Sequence, residues 1–455
     1  MPIAALSALL HRCRPAPAAL RTALLAAALP ALGAAAAPLQ APPWPRSSLG
    51  SADLAVLYAR GDATSEAIAR AYQRARGIPA AQVIGVDIPT DADAIGAEAF
   101  AAIKAELDAS LPAAVQATLL TWTRPSRVQG ACSMGITSAL AFGYSALRCG
   151  GCARTLASPY YDSDSTRPWT ELQLRPSMML GAATLEAAQA LIARGLAADG
   201  SAPGGTGWLV RTPDAARSVR WRDFAALPAQ WTGPAAPRLH YVDASSGTPS
   251  PWLTGQADLL FYFTGAAQVP QLAGNRFLPG AAADHLTSFG GRLPAANGQM
   301  PATAWLDAGA TASYGTVEEP CNHAEKFPRA SVLVEHYLRG ATLIEAYWKS
   351  VAWPGQGLFV GEPLARPWPD TPGTTLEDGQ LVLRTRALRR HGAYRAEWLP
   401  AGASRWQTLG TLSGPEPGPT VWRLPLPVDS ARGRLRWLGP CAGSPLQTCV
   451  LGESD

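Results

Sequence analysis

Lysine is almost missing from this 455-residue chain, occurring only at Lys104, Lys326 and Lys349, and arginine supplies nearly all of its positive charge. No run or tail of one sign of charge is present. The formal net charge is +4; Arg12, Arg14 and Arg21 account for three of those charges within a leader that has no acidic residue, which leaves about +1 for the rest. A nucleic-acid binder carries a basic face or stripe, so that class of partner is excluded. Internal repeats are absent. Beyond the leader no apolar run approaches the ~20 residues that a membrane-spanning helix needs. Complete catalytic motifs are missing too: Ser288 lies outside any G-x-S-x-G elbow, and nothing calls for a cofactor.

What is present is the profile of a globular chain, with 47% hydrophobic and 16% charged residues and a mean hydropathy near zero. Fifteen tryptophans supply large aromatic anchors. The first 37 residues read as a secretory signal peptide. Arg12, Arg14 and Arg21 form its positive region, Thr22 to Leu32 its apolar stretch, and Gly33 to Ala37 its small-residue cleavage site. The rest is therefore expected in the periplasm or outside the cell. Six cysteines follow the leader, at 132, 149, 152, 321, 441 and 449. An even number in an exported chain favours disulfides. Cys441 and Cys449 are expected to pair across a short loop; Cys132, Cys149, Cys152 and Cys321 make two further bridges whose pairing the spacing leaves open. Cys149-Gly-Gly-Cys152 is also the spacing of a redox pair or half a zinc site, but neither surrounding context is present.

Residues 38–50 read as an extended linker. From Leu54 onward short β-rich runs alternate with helical stretches, the pattern of a mostly parallel sheet flanked by helices. Strands are expected at 54–58, 83–88, 117–123, 207–211, 239–242, 259–263 and 311–316. Helices are expected at 64–76 (capped by Thr64 or Ser65), 97–110, 184–198, 214–227, 281–289, 330–339 and 342–351. Residues 124–180 break the rhythm and read as an insertion, helical around 133–147. From about Thr374 the segments shorten, alternate, and are separated by Gly and Pro, as in a small antiparallel β-sandwich of immunoglobulin or fibronectin III style. The expected organisation is thus a leader, a linker, an α/β domain over 51–367 and a sandwich over 374–455.

Several of these segments resemble the gingipain-type cysteine peptidases, which have the caspase-like α/β fold. Leu259–Gly265 is similar to the strand that ends at their catalytic histidine. Gly309–Thr316, Thr342–Ala346 and Leu358–Leu364 are similar to a later strand, a helix and the closing segment. The resemblance implies a His–Cys dyad, but Ala266 stands where the histidine belongs. Where the nucleophile's strand should end, the chain reads Asp284-His-Leu-Thr-Ser-Phe-Gly290, without cysteine. A thiolate mechanism needs nucleophile and base within hydrogen-bond reach, and both expected positions are empty. Tyr58–Asp62, Arg76–Pro79, Thr212–Arg220, Leu278–Gly291 and Asp307–Pro320 further resemble a family of uncharacterised exported bacterial proteins confined to species that carry exosortase, a membrane transpeptidase proposed to sort anchored proteins. That resemblance implies partners among exosortase-system or cell-surface components, and an association with polysaccharide export.

In parallel α/β sheets ligands sit beyond the carboxyl ends of the strands, and two segments there hold the chemistry-bearing residues. Glu318, Glu319 and His323 follow the 311–316 strand beside Cys321, and His285 lies near Ser288. Carboxylates next to a histidine suit metal binding or general acid–base catalysis, which would make a rebuilt hydrolase site. A polar strand-to-helix loop with Cys321 in a disulfide, and a histidine packed in a helix, are the plainer readings. Asp162 and Asp164, in a Tyr-rich loop, are candidate ligands for a hard cation such as calcium, or else solvated loop residues.

Overall fold

Ten short runs assemble into a single sheet in the computed structural model, which describes residues 39–454 apart from 233–235, 416–417, 429, 431 and 443. The leader lies outside the described residues. The strands are β1 (Leu54–Ala59), β2 (Val83–Val86), β3 (Ala117–Leu120), β4 (Ser177–Met179), β5 (Thr206–Arg211), β6 (Arg238–Asp243), β7 (Leu259–Gly265), β8 (Phe277–Leu286), β9 (Ala312–Thr316) and β10 (Gly357–Gly361). Their order across the sheet is β2-β1-β3-β4-β10-β9-β8-β7-β5-β6. Every neighbouring pair is parallel except β9–β10. The sheet is therefore two five-stranded parallel halves that run in opposite directions and meet at one antiparallel pair. Strands β3, β4, β7, β9 and β10 are buried along their whole length, as expected for strands covered on both faces.

The flanking helices are α1 (Ala63–Arg76), α2 (Ala97–Ser110), α3 (Ile136–Phe142), α4 (Leu185–Ala198), α5 (Trp221–Gln230), α6 (Ala330–Leu338) and α7 (Leu343–Ser350). Asp62, not Thr64 or Ser65, caps α1, its carboxylate accepting from Ser65 N–H, and Gly77 ends the helix in the left-handed conformation. Helix α7 opens on a capping box between Thr342 and Glu345.

Three elements differ from expectation. The helix expected over 281–289 is the end of strand β8; a short apolar run such as Ala281–Ala283 does not by itself distinguish buried strand from buried helix, and sheet pairing with β7 and β9 decides it. The helix expected over 214–227 begins only at Trp221, after turns in which the Asp214 carboxylate holds Arg217 N–H. The stretch read as an insertion contributes β4 to the middle of the sheet, a three-residue strand too short to announce itself.

Seven C-terminal strands follow: β11 (Gly373–Glu377), β12 (Gln380–Thr385), β13 (Ala393–Pro400), β14 (Gln407–Ser413), β15 (Thr420–Pro425), β16 (Gly433–Cys441) and β17 (Ser444–Glu453). They form antiparallel sheets β11-β12-β15 and β14-β13-β16-β17 around Leu381, Leu383, Tyr394, Trp398, Trp422 and Trp437. The described residues make one compact unit. The extended segment from Leu39 lies against the C-terminal core: Pro42 C=O accepts from Thr374 Oγ1 at 2.6 Å and from Trp437 Nε1 at 3.3 Å. Trp44 packs against Tyr394 and Trp437. A Cβ on Gly452 would collide with the carbonyl of Pro43, so only glycine allows this approach.

Candidate functional site

The loop after β9 is tied to the cysteine-rich segment before it. Cys321 is disulfide-bonded to Cys152, while Cys149 bonds Cys132 and Cys441 bonds Cys449. Both sulfurs of Cys149-Gly-Gly-Cys152 are thus committed, each to a different partner. Cys321 and Asn322 take left-handed backbone angles, φ 50° and 59°, which makes the turn tight. Glu319 accepts from Cys321 N–H at 2.9 Å, and Glu318 accepts from Ser133 N–H at 2.9 Å. His323 Nε2 lies 2.9 Å from the carbonyl of Cys152; a carbonyl only accepts, so that nitrogen carries the proton. Beneath them Lys326 is fully buried and donates to the carbonyl of Gly151. Burial pushes its amine down to about 8, against the pull of Glu319, Glu318 and Glu325. Each of the three predicted side chains is thus engaged with the backbone of its own or a neighbouring loop.

His285 stands on strand β8, not on a helix, and is fully buried. Its Nδ1 receives the indole N–H of Trp305 at 2.9 Å and its Nε2 lies 3.0 Å from Met300 C=O. An indole N–H can only donate, so Nδ1 is the bare nitrogen and Nε2–H donates to Met300. Burial holds the imidazole down to about 4, with Arg220 and Arg217 acting the same way and the Met300 bond opposing. Next to it Asp284 is fully buried and paired with Arg220 at 2.7 Å, which joins β8 to the start of α5. The structure thus brings Glu318, Glu319 and His323 into one disulfide-stapled loop, and gives His285 a separate set of partners, Trp305 and Met300.

Asp162 and Asp164 lie where the α/β region meets the C-terminal strands. Arg389, just after β12, reaches both carboxylates, donating to Asp162 Oδ1 at 3.0 Å and to Asp164 Oδ2 at 2.5 Å. Arg339 adds a bond to Asp164 at 2.9 Å, and His336 Nε2 lies 3.0 Å from Asp162. Burial tends to raise both carboxyls, but His336 and Arg389 bring Asp162 down to about 2, and Arg339 and Arg389 bring Asp164 lower still. Burial pushes His336 down to about 3. The oxygens expected to take a cation face guanidinium groups, an arrangement that does not fit calcium. Among the described residues no group of three or more His, Cys, Asp or Glu is placed to hold a metal ion.

This ion-pair cluster borders a cleft of about 310 Å³ whose walls come from residues 44–47, the 164–166 loop, helices α6 and α7, and strand β17. The chain matches no protein-family model, no curated protein and no solved structure. Function has therefore to be argued from the geometry. Sequence reasoning did not single out Lys349, His336 or Arg339, which line this cleft, or Glu345 and Arg389, which stand behind them. One signal was available: in a chain with so few lysines, Lys349 stands four residues after Glu345 in a short helix that is otherwise mostly apolar, where charges need a reason.

Proposed function

We propose that the chain is an exported accessory or binding protein on a caspase-like scaffold that has given up the peptidase dyad. Its site of action would be the periplasm or the cell surface, with exosortase-linked sorting or polysaccharide export components as partners. The leader pattern and three disulfides support export, since such bonds persist in oxidising compartments. No helix of the described residues is long and apolar enough to cross a membrane.

The observation that carries the non-peptidase reading is the state of the candidate pocket histidine and of the candidate thiol. His285 has both ring nitrogens engaged inside the core, and Cys321 is in a disulfide. General-base chemistry requires a nitrogen within reach of a substrate proton, and thiol chemistry a free thiolate. The test is turnover of peptide, ester and amide fluorogenic substrates by the mature protein, with Glu319→Gln and His323→Ala as controls. No turnover is expected. Hydrolysis by the wild type that either variant abolishes would overturn this reading and restore a hydrolase centred on Glu318, Glu319 and His323.

A further inference from the structure

Lys349 is 2% exposed and lines the seam cleft, yet among the described residues its ammonium has no hydrogen bond. Its nearest charged neighbour is Glu345 Oε1 at 3.9 Å, and the Tyr160 ring centroid lies 5.1 Å away. Glu345 cannot come closer without loss, because its Oε2 already accepts from Leu49 N–H, Thr342 N–H and Thr342 Oγ1. Of the other buried cations beside the cleft, Arg389 holds Asp162 and Asp164, while Arg339 holds Asp164 through Nη2 and keeps Nη1 without a partner. The Lys349 ammonium faces the cleft without a protein acceptor, and Arg339 Nη1 is a buried donor with none either, so the cleft holds donors open to a ligand oxygen.

The charges at and behind the cleft largely pair off: Lys349 against Glu345, Arg339 with Arg389 against Asp164 and Asp162, and Arg46 against Asp53, with Glu171 also on the lining. A strongly anionic ligand would meet Glu345 behind Lys349, and a cation would meet Lys349 itself. The rim offers the hydroxyls of Ser47 and Thr166, each donating to a backbone carbonyl and keeping its lone pairs for a ligand. One wall is the half-buried face of Trp44, beside Leu451. A fixed donor, spare hydroxyl acceptors and an aromatic face in a pocket of largely paired charges match a ring that is polar at its edge and apolar on its face. We infer that the seam cleft binds a neutral saccharide of one or two rings, with Lys349 donating to its oxygens and Trp44 covering its C–H face. A cleft of about 310 Å³ stands at the small end of ligand pockets, ~300–1,000 Å³.

This inference supplies a ligand class for the binding reading above; hydrolysis of peptides would sink that reading and leave this one standing. The probes are glucose, galactose, N-acetylglucosamine and cellobiose, with glucuronate and acetate as anionic controls, titrated by tryptophan fluorescence and calorimetry against the mature protein. At least one neutral sugar is expected to saturate in the millimolar range or tighter, with glucuronate weaker. Lys349→Met is expected to weaken that binding at least tenfold. Ala387→Trp, which narrows the cleft from its C-terminal side and leaves Lys349 in place, is expected to abolish it while the melting temperature stays near that of the wild type. Saturation by none of the neutral sugars overturns the inference, as does preference for glucuronate or acetate. Unchanged affinity in a folded Ala387→Trp protein places any binding elsewhere and also overturns it.

Discussion

Replacing His285 by Asn separates a packed histidine from an available base. The Asn side-chain oxygen can still accept the Trp305 indole N–H, but the bond to Met300 C=O is lost. At pH 7.5 the variant should be destabilised by about 1–3 kcal/mol, the range for an orphaned buried acceptor. The pH dependence carries the sharper information. His285 is held down to about 4 in the folded protein, against an ordinary value of 6.5. Between those values the unfolded chain binds the extra proton, so this contribution is fully present above pH 6.5 and is lost as pH falls toward 4. At about 1.4 kcal/mol per pH unit, roughly 3 kcal/mol disappears over the window. Only the wild type suffers that loss; His336, pushed the same way, remains in both proteins. The stability gap measured by urea unfolding at pH 7.5, 6.0, 5.0 and 4.5 should therefore close by about 2–3 kcal/mol and can invert. A gap that stays constant across the series would mean that His285 titrates normally and is reachable, and the argument against its catalytic use would fail.

The remaining predictions concern the staples. Arg389→Met leaves Asp162 and Asp164 short of their shared partner and should lower stability by about 3–5 kcal/mol, read as a lower midpoint in urea. Cys321→Ser opens a bridge closing 169 residues and should remove about 2–5 kcal/mol, with increased proteolysis of the 318–326 loop. Gly452→Val drives a side chain into the carbonyl of Pro43 and should release the 39–50 segment, seen as faster amide exchange there and a change in Trp44 fluorescence.

Much of the architecture was legible because its elements carry strong local signals. The amphipathic run over 64–76, or Leu259–Phe263 as a continuous apolar strand, mean the same thing in isolation as in the fold. Strand β8 was misread because Ala281–Ala283 has no periodicity of its own, and its partners β7 and β9 decide its conformation. Strand β4 was missed for a related reason: Ser177–Met179 is a strand only because β3 and β10 lie on either side. The seam cleft was less legible still. Asp162 and Asp164 read as a candidate cation loop or as solvated carboxylates, since clustered carboxylates look alike whether they await a metal, water or a guanidinium, and Arg389 arrives from more than two hundred residues away. Glu318, Glu319 and His323 were correctly placed after a strand, but the engagement of Glu318 and His323 with the 133 and 152 backbones depends on a disulfide partner that spacing left open.

The most direct test of the non-peptidase account is a free-thiol count with disulfide mapping on the mature protein purified from an oxidising compartment. The account predicts no free thiol and linked peptides joining Cys132 to Cys149, Cys152 to Cys321, and Cys441 to Cys449. A free Cys321 that alkylates rapidly near neutral pH would contradict it and put a thiol enzyme, with His323 as its base, in its place.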